Sequence, residues 1–349
     1  MSIIFTFSDD YFENYTTQDN LTPYIVNEDV SPYEIKLPER TAGLVIAAIG
    51  FAIFLLAVPG NLLVGWVIAT SRHTLTPSDV YLFHLTIADG LIALTLPFSA
   101  VSVIYGWVFG DFMCKLLSLI FEANFYTSII FLACISIDRY LVIVRASETL
   151  KSRKRKCSWI LCTAVWALGS ALSLPALFHK VIQLNETDTL ICSESYEMGS
   201  AKSWRLAIRG FHHIFGFFLP LAVMIICYSI TIARLLRTRG FQKHRAMRVI
   251  LLVVIAFLLC WTPYHITRMV DTLLRMNVIP NNRAVRGSVT MALTVTHSLA
   301  MMHSCINPVL YAFVGEKFRK NMMLYFQRKS LSRFSRSSSQ TSEGSTAVF

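Results

Sequence analysis

Charge is what this sequence has least of. Asp, Glu, Lys and Arg make up 15% of its 349 residues, against about a quarter in an ordinary soluble domain. The first 35 residues contain no Lys or Arg, and residues 317–336 contain no acid. No Cys follows Cys305, no CxxC pair occurs, and no Cys/His group has metal-ligand spacing. Scarce charge with a mean hydropathy of +0.52 argues against a water-solvated globule and for lipid as the solvent. With no metal cluster and no nucleophile–base pair, the chain is not expected to be an enzyme. Met1 to Phe7 lack a basic n-region and a small-residue cleavage site. The first apolar run is therefore expected to act as an uncleaved signal anchor.

The net charge of +11 would suit nucleic acid, but its distribution excludes that partner. Asp9, Asp10, Glu13, Asp19, Glu28, Asp29 and Glu34 crowd one end, and seven bases crowd residues 317–336. Opposite charge at the two ends suggests opposite sides of a membrane.

What the sequence has in plenty is long apolar runs. About 20 mostly apolar residues cross a bilayer as a helix. Seven runs qualify, roughly 43–70, 79–105, 114–140, 158–180, 205–236, 246–272 and 288–312. They are far too long for barrel strands, and a lipid-exposed backbone must be satisfied within itself. The fold class is therefore an all-α membrane protein, a seven-transmembrane helix bundle. Pro59, Pro97, Pro175, Pro220, Pro263 and Pro308 lie inside spans, where a bundle tolerates them as kinks.

An odd number of spans places the ends on opposite sides, and 20 of the 32 Lys and Arg fall on the side of the C-terminal tail. Basic loops stay cytoplasmic, so the N-terminus is read as extracellular. The glycosylation sequons at Asn14, Asn20 and Asn185 all land outside in this arrangement. Cys114 and Cys192 are then the two cysteines on the oxidising side, and a disulfide between them is expected. The organisation expected is an acidic extracellular arm over 1–41, the bundle over 42–315, an amphipathic juxtamembrane helix over 316–327 lying on membrane lipid, and a Ser/Thr-rich cytoplasmic tail over 328–349. The chain is expected at the plasma membrane.

Polar groups inside the spans are costly and default to function. They are Asn61 in span one, Asp89 in span two, Asp138-Arg139-Tyr140 at the inner end of span three, Trp166 in span four, Cys260-Trp261-Thr262-Pro263 in span six and Asn307-Pro308-Val309-Leu310-Tyr311 in span seven. Taken together and in this order, they resemble the rhodopsin-like G-protein-coupled receptors over residues 42 to 326. Thr95-Leu96-Pro97, Trp107-Val108-Phe109-Gly110, His303-Ser304-Cys305-Ile306-Asn307-Pro308 and the short stretch Gln242–Ile250 are similar to CXC chemokine receptors, in particular the interleukin-8 group.

The resemblance implies a basic CXC chemokine as ligand and an inhibitory-class G protein as partner, with leukocyte chemotaxis and calcium signalling as output. It also implies receptor kinases and arrestin. The chain departs from the family pattern at Ser99, Phe121, His297 and His84, and the family's second extracellular disulfide has no cysteines here.

The candidate sites follow from these readings. Asp9, Asp10, Tyr11, Glu13 and Tyr15 form an anionic arm suited to a basic protein, with Tyr11 and Tyr15 open to sulfation. Glu122, Arg205, Arg209, Arg268, Asp271 and His297 are expected at the bundle mouth, to meet the ligand's N-terminal segment or to bridge one another. Asp89, Asn124, Ser128 and Asn307 offer the oxygens of a sodium site, the one cofactor expected; a water-bridged network is the alternative. Asp138, Arg139, Tyr140, Tyr228, Trp261, Pro263, Pro308 and Tyr311 form the expected activation switch and G-protein contact. Ser335, Ser337, Ser338, Ser339, Thr341 and Ser342 are candidate phosphosites, where phosphate would build an anion for arrestin. Two other readings remain open: a scavenging decoy without G-protein coupling, and a transporter or channel. Decoys tend to lose the Asp-Arg-Tyr motif kept here. Transporters carry internal repeats and paired broken helices, which the sequence lacks.

Overall fold

The computed structural model describes residues 40–70, 75–144, 154–183, 189–195, 201–236, 241–280 and 283–314, with backbone alone at 154–156, 201–202, 241–250, 283 and 311–314. The elements run α1 (Arg40–Ala69), α2 (Pro77–Tyr105), α3 (Gly110–Val144), α4 (Lys154–Leu172), a 3-10 turn (Leu174–Phe178), β1 (His179–Gln183) and β2 (Leu190–Glu194). Then come α5 (Ala201–His213), a π-helical turn (Ile214–Phe218), α6 (Leu219–Leu236), α7 (Phe241–Arg275), α8 (Arg283–Met301) and α9 (His303–Val314). Among the described residues, seven helical spans are long and apolar enough to cross a membrane. The fifth comprises α5, the π turn and α6, and the seventh comprises α8 and α9. The expected juxtamembrane helix, the acidic arm, all three sequons and the tail phosphosites lie outside the described residues.

Local chemistry sets the helix ends. Thr76 caps α2 with a capping box, its hydroxyl accepting from Asp79 N while the Asp79 carboxylate accepts from Thr76 N; Pro77 needs no donor at the first helical position. At the other end Gly106 takes φ +79°, a conformation costly for any residue with a Cβ. That turn lets Trp107 N donate to Leu190 O at 2.6 Å, while the Trp107 indole donates to Gly110 O at 2.8 Å. Just past the end of α7, Asn277 takes φ +57° and the amide of Val278 donates back to Leu273 O, a left-handed helix stop.

The spans present apolar side chains outward as well as inward. Leu44, Leu55, Leu56 and Leu62 of α1 are exposed, as a lipid-facing surface requires. Inside, Phe125, Phe131, Phe257 and Trp261 are among the largest fully buried side chains. Asn61 ties the first span to the seventh by donating to Ala57 O at 2.9 Å and Ser304 O at 2.8 Å. Trp166 donates to His84 Nδ1 at 3.2 Å, so His84 supplies an acceptor for the indole of the fourth span.

The seventh span differs from the single run expected over 288–312. It breaks at Met302 into α8 and α9, where the amides of Cys305 and Ile306 both turn to Met302 O. Ser304 Oγ and His303 Nδ1 bond to Met301 O and Ala300 O, and such side-chain bonds compete with the helical ladder.

Candidate functional site

A two-stranded hairpin closes one end of the bundle. β1 and β2 pair antiparallel with Val181 opposite Cys192. Cys192 is joined to Cys114 of α3 by a disulfide with Cα atoms 5.6 Å apart, as the sequence predicted. Asp111 adds a second anchor, accepting from Val181 N at 3.1 Å while pairing with Lys115. These attachments hold Glu194, two residues beyond Cys192, against α5 and α7.

Glu194 is the centre of a cage of guanidiniums and carboxylates. Its Oε2 accepts from Arg209 Nε at 3.1 Å, and its Oε1 accepts from Arg268 Nη2 at 2.9 Å. Arg205 Nε reaches the same carboxylate at 3.9 Å. One helical turn separates Arg205 from Arg209, and this i, i+4 spacing presents both from one face of α5. Arg209 also donates to Asp271 at 2.6 Å and Thr272 at 3.0 Å, and Asp271 accepts from Arg275 at 2.8 Å. Arg268 donates to the Tyr264 hydroxyl at 2.5 Å and lies 3.8 Å from Glu122. Glu122 bonds His212 at 2.9 Å. Among the described residues, four arginines thus face three carboxylates. Burial alone would raise the Glu194 carboxyl; Arg209 and Arg268 outweigh it and hold it at about 2, so it stays ionised.

Five of the six expected mouth residues, Glu122, Arg205, Arg209, Arg268 and Asp271, meet in this one network. His297 stands apart from the ion pairs, its ring packed on Phe121 at 5.2 Å and Tyr264 at 5.6 Å. Below the cage lies an aromatic layer. Trp261, fully buried, packs on Phe125 with centroids 4.4 Å apart and on Phe257 at 5.8 Å. His213 and His265 join the fifth and sixth spans through their Nδ1 atoms, 3.0 Å apart.

Deeper still, Asp89 is completely buried. It accepts from Asn307 at 2.6 Å and Ser128 at 3.2 Å, with His303 Nε2 at 3.5 Å. Asn124 shows no such bond. Its amide donates to Ile120 O at 2.6 Å within its own helix, and the side-chain oxygens of Asn124 and Asn307 are buried without a hydrogen-bond partner. At the end opposite the hairpin, Asp138 accepts from Ser78 Oγ at 2.5 Å and lies 3.8 Å from Arg139 Nη2. Tyr140 follows in α3, Tyr228 is buried in α6, and Pro263 and Pro308 lie inside α7 and α9. Tyr311 is in α9, its side chain outside the described residues.

Residues 60–311 match the family model of the 7 transmembrane receptor (rhodopsin family). The chain is 43% identical over 324 residues to the C-X-C chemokine receptor type 1 of Oryctolagus cuniculus, covering 93% of this chain and 89% of that one. It is 43% identical to the human type 1 receptor, covering 85% and 84%, and 42% identical to the type 2 receptor of Oryctolagus cuniculus, covering 89% and 86%. The chain belongs to the C-X-C chemokine receptor family.

As a member of this family it is a multi-pass membrane protein, and its helices carry the features that the sequence singled out. Reasoning from spans and motifs missed Glu194 and His212, and it singled out His303 only as part of the motif His303–Pro308. Glu194 sits on a loop strand, where no helical period marks an inward residue; its place two positions after Cys192 was the available clue. His212 looked like an ordinary span residue until the fold set it beside Glu122, and the motif gave no sign that His303 would lie beside Asp89.

Proposed function

We propose that this chain is a receptor for a basic, interleukin-8-type CXC chemokine, with the hairpin end of the bundle outside the cell, and that it activates an inhibitory-class G protein. The observation that carries the proposal is the arginine–carboxylate cage at the hairpin end, in a chain that belongs to this family. Ordered, buried charges of both signs suit a protein ligand whose entering segment bears an amine and side-chain charges. Asp9, Asp10, Tyr11, Glu13 and Tyr15 supply the anionic arm that meets the ligand's basic body. Asp138, Arg139 and Tyr140 at the opposite end form the contact for the G protein. Trp261 and the Pro263 kink lie between the two ends and pass the change as a shift between two packings. Phosphorylated tail serines recruit arrestin after receptor kinases act.

Asp89, Ser128, Asn124 and Asn307 fit a sodium ion by donor type, since one buried carboxylate is joined by hydroxyl and amide oxygens, two of the latter without partners. Bound there, the ion would add a positive charge that favours the packing around Asp89. The residues themselves hold α2, α3 and α9 together through the bonds to Asp89.

The test is chemokine-evoked inhibition of cyclic AMP in cells expressing the full chain, with Arg139→Ala beside it. The expected result is a response in the wild type that Arg139→Ala loses while chemokine binding stays. Chemokine uptake with no G-protein response in the wild type would overturn the coupling. No binding of any CXC chemokine would overturn the ligand class.

A further inference from the structure

Two adjacent histidines of α5 reach two different helices. Successive residues of an α-helix stand about 100° apart around its axis. His212 therefore meets Glu122 of α3 at 2.9 Å, while His213 meets His265 of α7, Nδ1 to Nδ1, at 3.0 Å. Two imidazole nitrogens this close need one proton between them, so one ring donates and the other accepts. Both rings are buried, and their Nε2 atoms have no hydrogen-bond partner. Among the described residues, the Nδ1–Nδ1 bond is thus the one hydrogen bond that either ring makes. Opening it by about half an ångström passes hydrogen-bond length. A donor and an acceptor are then left buried with nothing to replace them, which is costly. The contact is therefore either closed or open, with little between.

Its position gives that choice a consequence. His213 is the last residue of α5, and the π turn Ile214–Phe218 begins at the next residue. His265 lies two residues beyond Pro263, where α7 lacks one amide donor of its ladder and bends most readily. It is also one helical turn from Trp261, with ring centroids 6.1 Å apart. Phe217 of the π turn packs on the His265 ring at 4.4 Å, and Phe125 of α3 packs on it at 5.8 Å. The bond thus pins the hairpin-end half of α7 to the fifth span, beside the kink. In this packing Arg139, at the opposite end, lies 3.8 Å from Asp138 of its own helix. We infer that the His213–His265 bond is a positioning contact for activation. Closed, it holds α7 in the resting packing; it opens when the half of α7 away from the hairpin swings about Pro263. Its part in signalling rests on the proposed function, whereas the closed-or-open contact rests on the geometry alone.

The experiment compares two replacements of like shape. Asn sets an amide where Nδ1 stands and can donate or accept, whereas Leu fills the same space and does neither. In the first arm, the full-length receptor in lipid nanodiscs is mixed with an inhibitory-class G protein, and nucleotide exchange is measured without ligand. His265→Leu is expected to raise this exchange about fivefold, the population change that one buried hydrogen bond sets, while His265→Asn stays within about twofold of wild type. His213→Leu is expected to match His265→Leu, and the double Leu variant to add nothing, because each change removes the same bond. An equal rise in His265→Asn, no rise in either Leu variant, or additive rises in the double variant would overturn the inference. Should His265→Leu fail to fold, His213→Leu removes the bond from the other side. The second arm needs no G protein. A trifluoromethyl-phenylalanine is placed at position 251, at the end of the sixth span away from the hairpin. Fluorine NMR then reports how α7 divides between two positions. The Leu variants are expected to enlarge the second resonance, and His265→Asn to match wild type. If wild type and variants all fail to drive exchange, the G-protein reading has failed and this arm still decides the contact. Equal spectra for wild type and the Leu variants would overturn it.

Discussion

Gly216 leaves no space for a side chain: a Cβ there would come within 2.5 Å of Phe125 and 3.1 Å of Tyr126. Overpacking of this kind costs about 1–3 kcal/mol, so Gly216→Ala is expected to lower the melting temperature by several degrees, as a thermal-shift assay would show. Unchanged melting would mean that Phe125 can give way. Asn61 offers a second test. Asn61→Leu removes both donors to Ala57 O and Ser304 O and leaves Ser304 O short of a partner, an expected loss of about 1–3 kcal/mol. Glu194 makes a pH prediction whose sign is fixed. Its carboxyl is lowered from the usual 4.5 to about 2. Its contribution to stability is therefore complete above pH 4.5 and is lost only as pH falls towards 2. Melting temperature is expected to be no more pH-dependent between pH 5 and 8 in wild type than in Glu194→Gln, and the two should converge in stronger acid. At this scale much was legible. Asp89, Asp138-Arg139 and the five cage residues stand out as charges in apolar runs. Glu194 does not, because polarity in a loop carries no such contrast.

At the scale of the element, the hairpin is what converts separate charges into a cage. Its attachment rests on one covalent bond, the Asp111 contact with Val181 and the Trp107 bond to Leu190 O. Cys192→Ser is expected to cost about 2–4 kcal/mol and to weaken chemokine binding more than Asp111→Asn does, since the disulfide is the stronger anchor of Glu194. Ligand affinity measured on surface-expressed receptor would check the order, and comparable losses would show that the hairpin holds its place without the bond. Span boundaries were legible from hydropathy to within a few residues. The break at Met302 and the π turn at Ile214–Phe218 were not. Both depend on which backbone carbonyl a given amide or side chain selects, and periodicity does not encode that choice.

At the scale of the whole molecule, charge is sorted by end. The seven acids of the first 35 residues would, under the proposed function, act on a basic protein before contact, and such steering is weakened by salt. Replacing Asp9, Asp10 and Glu13 with their amides is expected to slow association by about tenfold at low ionic strength, with dissociation nearly unchanged. Stopped-flow or surface-capture kinetics would show it, and a change confined to dissociation would count against steering. The fold class follows from hydropathy and charge because a bilayer allows a chain so few architectures. Ligand preference does not, because it resides in a few contacts between elements far apart in sequence.

The π turn sets the azimuth of everything that follows it. Each extra residue in a helical turn advances the chain by roughly 100°, and a π turn carries one such residue. His212 and Gly216 before and within it, and Tyr228 beyond it, can all face the interior only because that residue is present. Deleting Phe215 would restore a plain α-helix and turn Tyr228 towards lipid while leaving Arg205 and Arg209 in place. The fifth span therefore has two independently phased halves, and a single-residue deletion would uncouple them like a slipped gear tooth.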